Sequence, residues 1–481
     1  MRKLVAFVTI VLGLFSSEKV VNAQDVKDVE IQLKVKDYPN APVVLGYYYN
    51  KQMLVRDTIW TDANCRATYS RDTLLDEGVY MLYIPDHNMM DVMITGNQHF
   101  SIECDTLKNM LQRAKTSGNE PLKTFISYQK YLQEMQGKYQ TLSNDFKQAK
   151  QQGDTARQSS IRRTYNALDK EVKDKNKAII EANKDNFLSV FLTSLREVEF
   201  PKFNIPSSVA NADSLKQVYG YYWYRKNWDM HYNFADKRLL FTPFFIQKVD
   251  DYLDKSVPHV ADSVAEECIR IIEKARPDSV AFRYWVSHLY NKVNDSKIMG
   301  MDGALVRIAD RYYLSGEAKW TTKKFIDDLR EQVDGIRYTL VGLKAKDIKV
   351  PSITGEWFRL HEVDAPYTIL VFWEPSCGHC KKEIPELKEK VWEPYKKYGI
   401  KIFAVYCQVE REEWESFVEE HQLEEWINVY DPYGRSGFRQ YYNIKSTPQI
   451  FVLDKDKTII AKRIGVDQLP DFFDHYLNLN K

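Results

Sequence analysis

The chain has almost no excess of charge, with 68 Lys and Arg against 67 Asp and Glu. A basic face that would hold nucleic acid, or pin the protein electrostatically to a membrane, is therefore not expected. Cysteine is scarce, 6 in 481 residues, too few for a disulfide-dense scaffold. After Phe15 no apolar run approaches the roughly 20 residues that a helix needs to cross a bilayer. No tract demands disorder, since 44% of residues are hydrophobic and 28% charged. His231 and His288 lack a Cys or carboxylate at ligand spacing, and only one Cys-x-x-Cys is present. A metal site is accordingly not expected.

What is present divides the chain, whose length suggests about three domains of roughly 150 residues each. Residues 1–23 read as a secretory signal: Arg2 and Lys3, the apolar run Leu4–Phe15, then the small-residue cleavage site Val21-Asn22-Ala23. The run is too short for a membrane anchor, and no Cys follows it for lipid attachment. Export to an oxidising compartment is expected, where a dithiol needs a maintained redox partner. Residues 24–115 carry short alternating segments, among them Val29–Val35, with turn residues between them, as in a small β-sandwich or barrel. Cys65 and Cys104 fall here, and either a structural disulfide or two thiols fits. Residues 116–335 change to a helical period. Pro121–Gln151 and Thr155–Arg196 read as a hairpin of long amphipathic helices broken at Gln152-Gly153-Asp154. Helices are further expected at Ser214–Tyr232, Pro243–Leu253, Ser263–Lys274, Asp278–Lys292, Gly303–Tyr313 and Thr322–Val333. The aromatic run Tyr219–Phe234 reads as core packing of this domain in preference to a partner surface.

Residues 339–481 alternate strands and helices, the pattern of a mixed α/β sheet covered on both faces. Tyr367–Trp373 is a short run of β-branched and aromatic residues, as in a buried central strand. Lys381–Val391 is rich in helix formers, so a helix begins near Cys377. Cys377 thus stands where a strand ends and a helix starts. Unpaired backbone N–H groups and the positive end of the helix dipole stabilise a thiolate there. Cys380 follows about one helical turn later, close enough for a small disulfide ring. The pair reads as a redox centre.

These residues also carry a family resemblance. Trp373–Pro385, WEPSCGHCKKEIP, and the later Ser446-Thr447-Pro448 opening a strand resemble the thioredoxin-like thiol–disulfide oxidoreductases. The segment between Cys407 and Tyr442 and the entry at Gly342 are similar to the exported TlpA/ResA branch. The β-rich and helical regions resemble two uncharacterised domains that precede such modules in exported proteins of some Gram-negative bacteria, which implies a periplasmic location. The resemblance implies Cys377 as the attacking thiolate, Cys380 as the resolving thiol, and a cis Pro448 against the pair. Thr447 would then pair by its backbone with a substrate strand. It implies no cofactor beyond the redox-active Cys377–Cys380 disulfide, and protein dithiols or disulfides as partners. Trp373 is expected beside the site, with Gly378 and His379 between the cysteines, the His379 imidazolium lowering the Cys377 pKa. Position 371, which holds a buried Asp in thioredoxin, is Val here. Glu374 could replace it in proton transfer, although a solvated loop carboxylate is the plainer reading.

Direction is open, because the Gly-His dipeptide leans towards an oxidase or isomerase and the family context towards a reductase. The Pro-x-x-x-Thr-x-x-Cys site of peroxiredoxins is absent. Cys407, ending a strand, reads as a buried thiol in preference to a third redox sulfur. A different class of function is a binding protein in which residues 24–330 hold a ligand or partner and the redox module is secondary.

Overall fold

The computed structural model describes residues 28–104, 110–205 and 211–479, and the expected signal lies outside them. The chain forms two compact units. One runs to Thr193 and includes Phe241–Pro243; the other comprises Ser194–Leu240 and Phe244 onward.

Among the described residues the first unit has eight strands: β1 (Val29–Val35), β2 (Pro42–Tyr49), β3 (Gln52–Trp60), β4 (Arg66–Arg71), β5 (Gly78–Ile84), β6 (Asn88–Ile94), β7 (His99–Cys104) and β8 (Lys115–Ser117). They make two sheets, ordered β4-β1-β7-β8 and β3-β2-β5-β6. Alternation along β1 turns Val29, Ile31, Leu33 and Val35 inward, where they meet Val43, Leu45, Leu82 and Ile94 of the other sheet. The helix Glu120–Gln151 contributes Leu122 and Ile126 to the same core. That contribution places the start of the helical region in the β unit. Its partner helix, Thr155–Ala182, buries none of its residues, so its charge is a solvated face. The expected second long helix is two: the chain breaks after Ala182 and resumes at Phe187–Ser194. Gly153, at φ +69°, occupies the turn between the long pair.

In the second unit all six further expected helices are present, with ends shifted by a few residues. The aromatic run divides. Trp228 stacks on Tyr252 at 3.8 Å between centroids, and Phe234 packs on Phe245 and Trp285, whereas Tyr219, Tyr221 and Tyr222 are exposed.

The rest of this unit holds a two-strand hairpin, β9 (Lys349–Pro351) with β10 (Trp357–Arg359). It also holds a five-strand sheet. Its members are β11 (Tyr367–Trp373), β12 (Lys401–Tyr406), β13 (Ile427–Tyr430), β14 (Gln449–Asp454) and β15 (Ile459–Lys462), in the order β13-β12-β11-β14-β15. Central β11 runs parallel to β12 and antiparallel to β14. Its side chains alternate between two cores. Ile369, Val371 and Trp373 join Ile384 and Leu387 of the helix Gly378–Leu387, while Leu370 and Phe372 join Phe438 and Tyr442 on the opposite face. A strand buried on both faces explains its continuous apolar sequence. Each such side chain contributes about 1.5–3 kcal/mol. β11 is thereby a rigid base for the turn that follows it.

Candidate active site

The turn Glu374–Ser376 leaves β11 and delivers Cys377 to the N-cap of the helix Gly378–Leu387, with extended backbone (φ −75°, ψ 124°). The Cys377 N–H donates to the Glu374 carbonyl at 3.3 Å, and Lys381 N–H to the Cys377 carbonyl at 3.0 Å. Cys377 is partly exposed, and Cys380, one turn on, is fully buried at 0%. Both sulfurs are thiols. From the other side of the site the loop before β14 brings in a cis Thr447–Pro448 peptide. The Cys377 thiol donates to the Thr447 carbonyl at 3.2 Å.

The two sulfurs are tuned in opposite directions. Burial pushes the Cys377 thiol up, but the Cys380 N–H, the Thr447 hydroxyl, the Cys380 thiol and the His379 N–H together hold it below the ordinary value. Burial pushes Cys380 up to about 12, against the Glu374 N–H and the Thr447 hydroxyl and with a further rise from the neighbouring Cys377. An exposed, acidified thiol in front of a buried, reluctant one is the arrangement that ordered thiol–disulfide exchange requires.

The other expected residues fall around this pair. Trp373 is fully buried and packs on Phe417 at 4.9 Å and Tyr406 at 6.3 Å between centroids, in the core that holds Cys380. Gly378 is exposed, and a Cβ there would meet nothing within 4 Å. The His379 imidazole is exposed too, and its backbone N–H is among the groups that hold Cys377 down. Glu374 departs from expectation. It is half-buried and accepts a hydrogen bond from the Thr447 hydroxyl at 2.9 Å, where a solvated loop carboxylate was anticipated. Val371 is fully buried among apolar neighbours. Cys407 is buried, its thiol pushed up to about 12 by burial.

Sequence reasoning missed Ser376 and Gln408, whose side chains bond each other at 3.0 Å and tie the turn before Cys377 to the loop after β12. It also missed Arg439, whose guanidinium donates to the Cys407 carbonyl. No local motif marks either contact. Among the described residues, no group of three or more His, Cys, Asp or Glu side chains is placed to hold a metal ion, and no helix is long and apolar enough to cross a membrane.

Residues 341–462 match the model of the AhpC/TSA family. The thiol-disulfide oxidoreductase ResA of Bacillus cereus is 26% identical over 137 residues, covering 28% of this chain and 76% of the relative. ResA of Geobacillus kaustophilus is 30% identical over 116 residues, covering 24% of this chain and 64% of the relative. Among solved structures, a domain of a possible thiol-disulfide isomerase from Cytophaga hutchinsonii is 39% identical, covering 29% of this chain and 95% of that one, with a TM-score of 0.28. The sheet order, the paired cysteines at the first helix and the family match agree: residues 341–462 form a thioredoxin-like domain of the AhpC/TSA family, akin to the thiol–disulfide oxidoreductases.

Proposed function

We propose that this chain is exported, as a periplasmic protein, and that its residues 339–481 reduce or exchange disulfides of other proteins through Cys377 and Cys380. One observation carries the reading: a half-exposed thiol at a helix N-terminus, 3.2 Å from the Thr447 carbonyl, stands in front of a fully buried second thiol. The Cys377 thiolate attacks one sulfur of a client cystine and displaces the other as a thiolate. Cys380 then attacks Cys377 and releases the second client sulfur. The client gains two electrons and the Cys377–Cys380 pair becomes a disulfide, which an external dithiol must reduce. Thr447 and Pro448 line the approach, and the Thr447 backbone is suited to pair with an extended client segment. Trp373 holds the wall behind the sulfurs. Gly378 and His379 supply exposed backbone at the helix start.

Insulin reduction by the full chain tests this. Cys377→Ser is expected to abolish turnover, and Cys380→Ser to accumulate client as a mixed disulfide seen on non-reducing gels. Equal trapping by the two variants would reverse the assigned order of attack. A thiol titration against glutathione decides direction: a potential near −270 mV marks a reductase and one near −120 mV an oxidase.

A further inference from the structure

β13 is the last strand of the five-strand sheet, and the turn of the β9–β10 hairpin reaches its edge, the Ile353 N–H donating to the Asn428 carbonyl at 3.2 Å. Between that hairpin, β13 and the helix Arg411–Glu420 lies a groove of about 500 Å³. Four carboxylates line it, Glu356, Glu415, Glu419 and Glu424, and no lysine or arginine does. Glu415 and Glu419 are four residues apart and share a helix face. Arg411 pairs with Glu415, whereas among the described residues Glu356, Glu419 and Glu424 have no ion-pair partner. The four do not gather as metal ligands, since among the described residues no three His, Cys, Asp or Glu side chains are placed to hold an ion. Carboxylates alone would mark only a solvated surface, but two buried polar atoms in the same groove point to a ligand. Asn428 and Trp426 line it and are 4% and 5% exposed. The Asn428 amide nitrogen donates to the Leu423 and Trp426 carbonyls at 2.7 and 3.3 Å, which fixes the orientation of the amide and leaves its Oδ1 without a donor. The Trp426 indole N–H has no acceptor. A buried donor and a buried acceptor left unpaired are each unfavourable. A peptide backbone offers a carbonyl for the one and an N–H for the other, which a lone cation does not.

We propose that this groove binds an extended, lysine- or arginine-rich segment of a partner protein. The basic heads of the segment meet Glu356, Glu419 and Glu424, and their aliphatic stems lie on Phe358 and Ile427. Its backbone supplies the missing partners of Trp426 and Asn428. The inference stands apart from disulfide exchange and needs neither cysteine of the active site.

Fluorescence anisotropy of a labelled, cysteine-free peptide of alternating Lys and Thr, titrated with the full chain, tests this. Saturable binding that weakens as salt rises is expected, and a peptide of alternating Glu and Thr is expected not to bind. The double variant Glu419→Gln/Glu424→Gln is expected to weaken binding about tenfold at low salt, and Glu134→Gln/Glu171→Gln, outside the groove, to leave it unchanged. Trp426→Phe keeps a ring and removes the orphaned donor. It is expected to weaken binding about fivefold without lowering the urea midpoint, because no hydrogen bond of the free protein is lost. Absence of binding, or equal weakening by the two double variants, would overturn the proposal. A loss confined to the carboxylate variant would mark a general cation surface and overturn it equally. Sedimentation that shows self-association abolished by Glu419→Gln/Glu424→Gln would give the groove to a second copy of the chain, against the proposal.

Discussion

A sulfur held below its ordinary acidity threshold and one held above it respond oppositely to pH. Cys377, depressed, adds stability to the reduced fold above the usual thiol value near 8.5, and this is lost as pH falls through its own lower value. Cys380, raised to about 12, adds stability fully present below about 8.5 that is lost as pH climbs towards 12. Two measurements check the pair. Alkylation of Cys377 in folded protein is expected to be half-maximal below pH ~8.5, with Cys380 unreactive until the chain is denatured. Urea unfolding of the reduced protein is expected to weaken between pH 9 and 11, and Cys380→Ala to flatten that decline. Much of this was legible from WEPSCGHC, since a strand, a turn and helix formers fix where a thiol meets backbone N–H groups. The link between Glu374 and Thr447 was not. The residues lie 73 positions apart, and only the folded sheet brings the loop before β14 against the turn after β11.

At the scale of elements, strands with two buried faces announce themselves, and those with one polar face do not. Tyr367–Trp373 could be read directly, because every position but the first is buried. β4, RATYSR, carries little signal because its core face is only Ala67 and Tyr69 between polar neighbours, and β8 is only three residues long. Between Gly434 and Tyr442 only Phe438–Tyr441 is helical, with Gly434 and Gly437 at φ +63° and +70° turning the chain before it. The helix Arg411–Glu420 is anchored by Trp414, fully buried and stacked on Tyr406 at 5.3 Å. Trp414→Ala is expected to cost about 3–5 kcal/mol, read as a lower denaturation midpoint. It removes the ring against which the strand carrying Tyr406 is set.

Across the molecule, the helices after Ser194 and the sheet that bears the cysteines belong to one compact unit. Lys462 on β15 is 6% exposed in its side chain and pairs with Asp302, while also donating to the Thr339 hydroxyl at 3.4 Å. Asp302→Asn leaves that ammonium buried without its counter-charge and is expected to lose about 3 kcal/mol or more in urea unfolding of the full chain. Sequence periodicity placed a boundary near 335, where the helical pattern stops. It could not show a lysine of the last strand reaching an aspartate 160 positions earlier in the numbering. The first unit has its own such reach. Phe241 packs on Tyr47 and Tyr49, and a Cβ at Gly78 would lie 2.6 Å from the Phe241 Cβ. The residues on either side, up to Leu240 and from Phe244, belong to the second unit. The first unit therefore takes a three-residue segment from beyond its own end at Thr193. Swapping front ends between relatives by a crossover at 193 would leave the transplanted sheet facing a foreign 241–243 segment in place of its own Phe241, so such chimaeras should fail unless residues 241–243 travel with the donor.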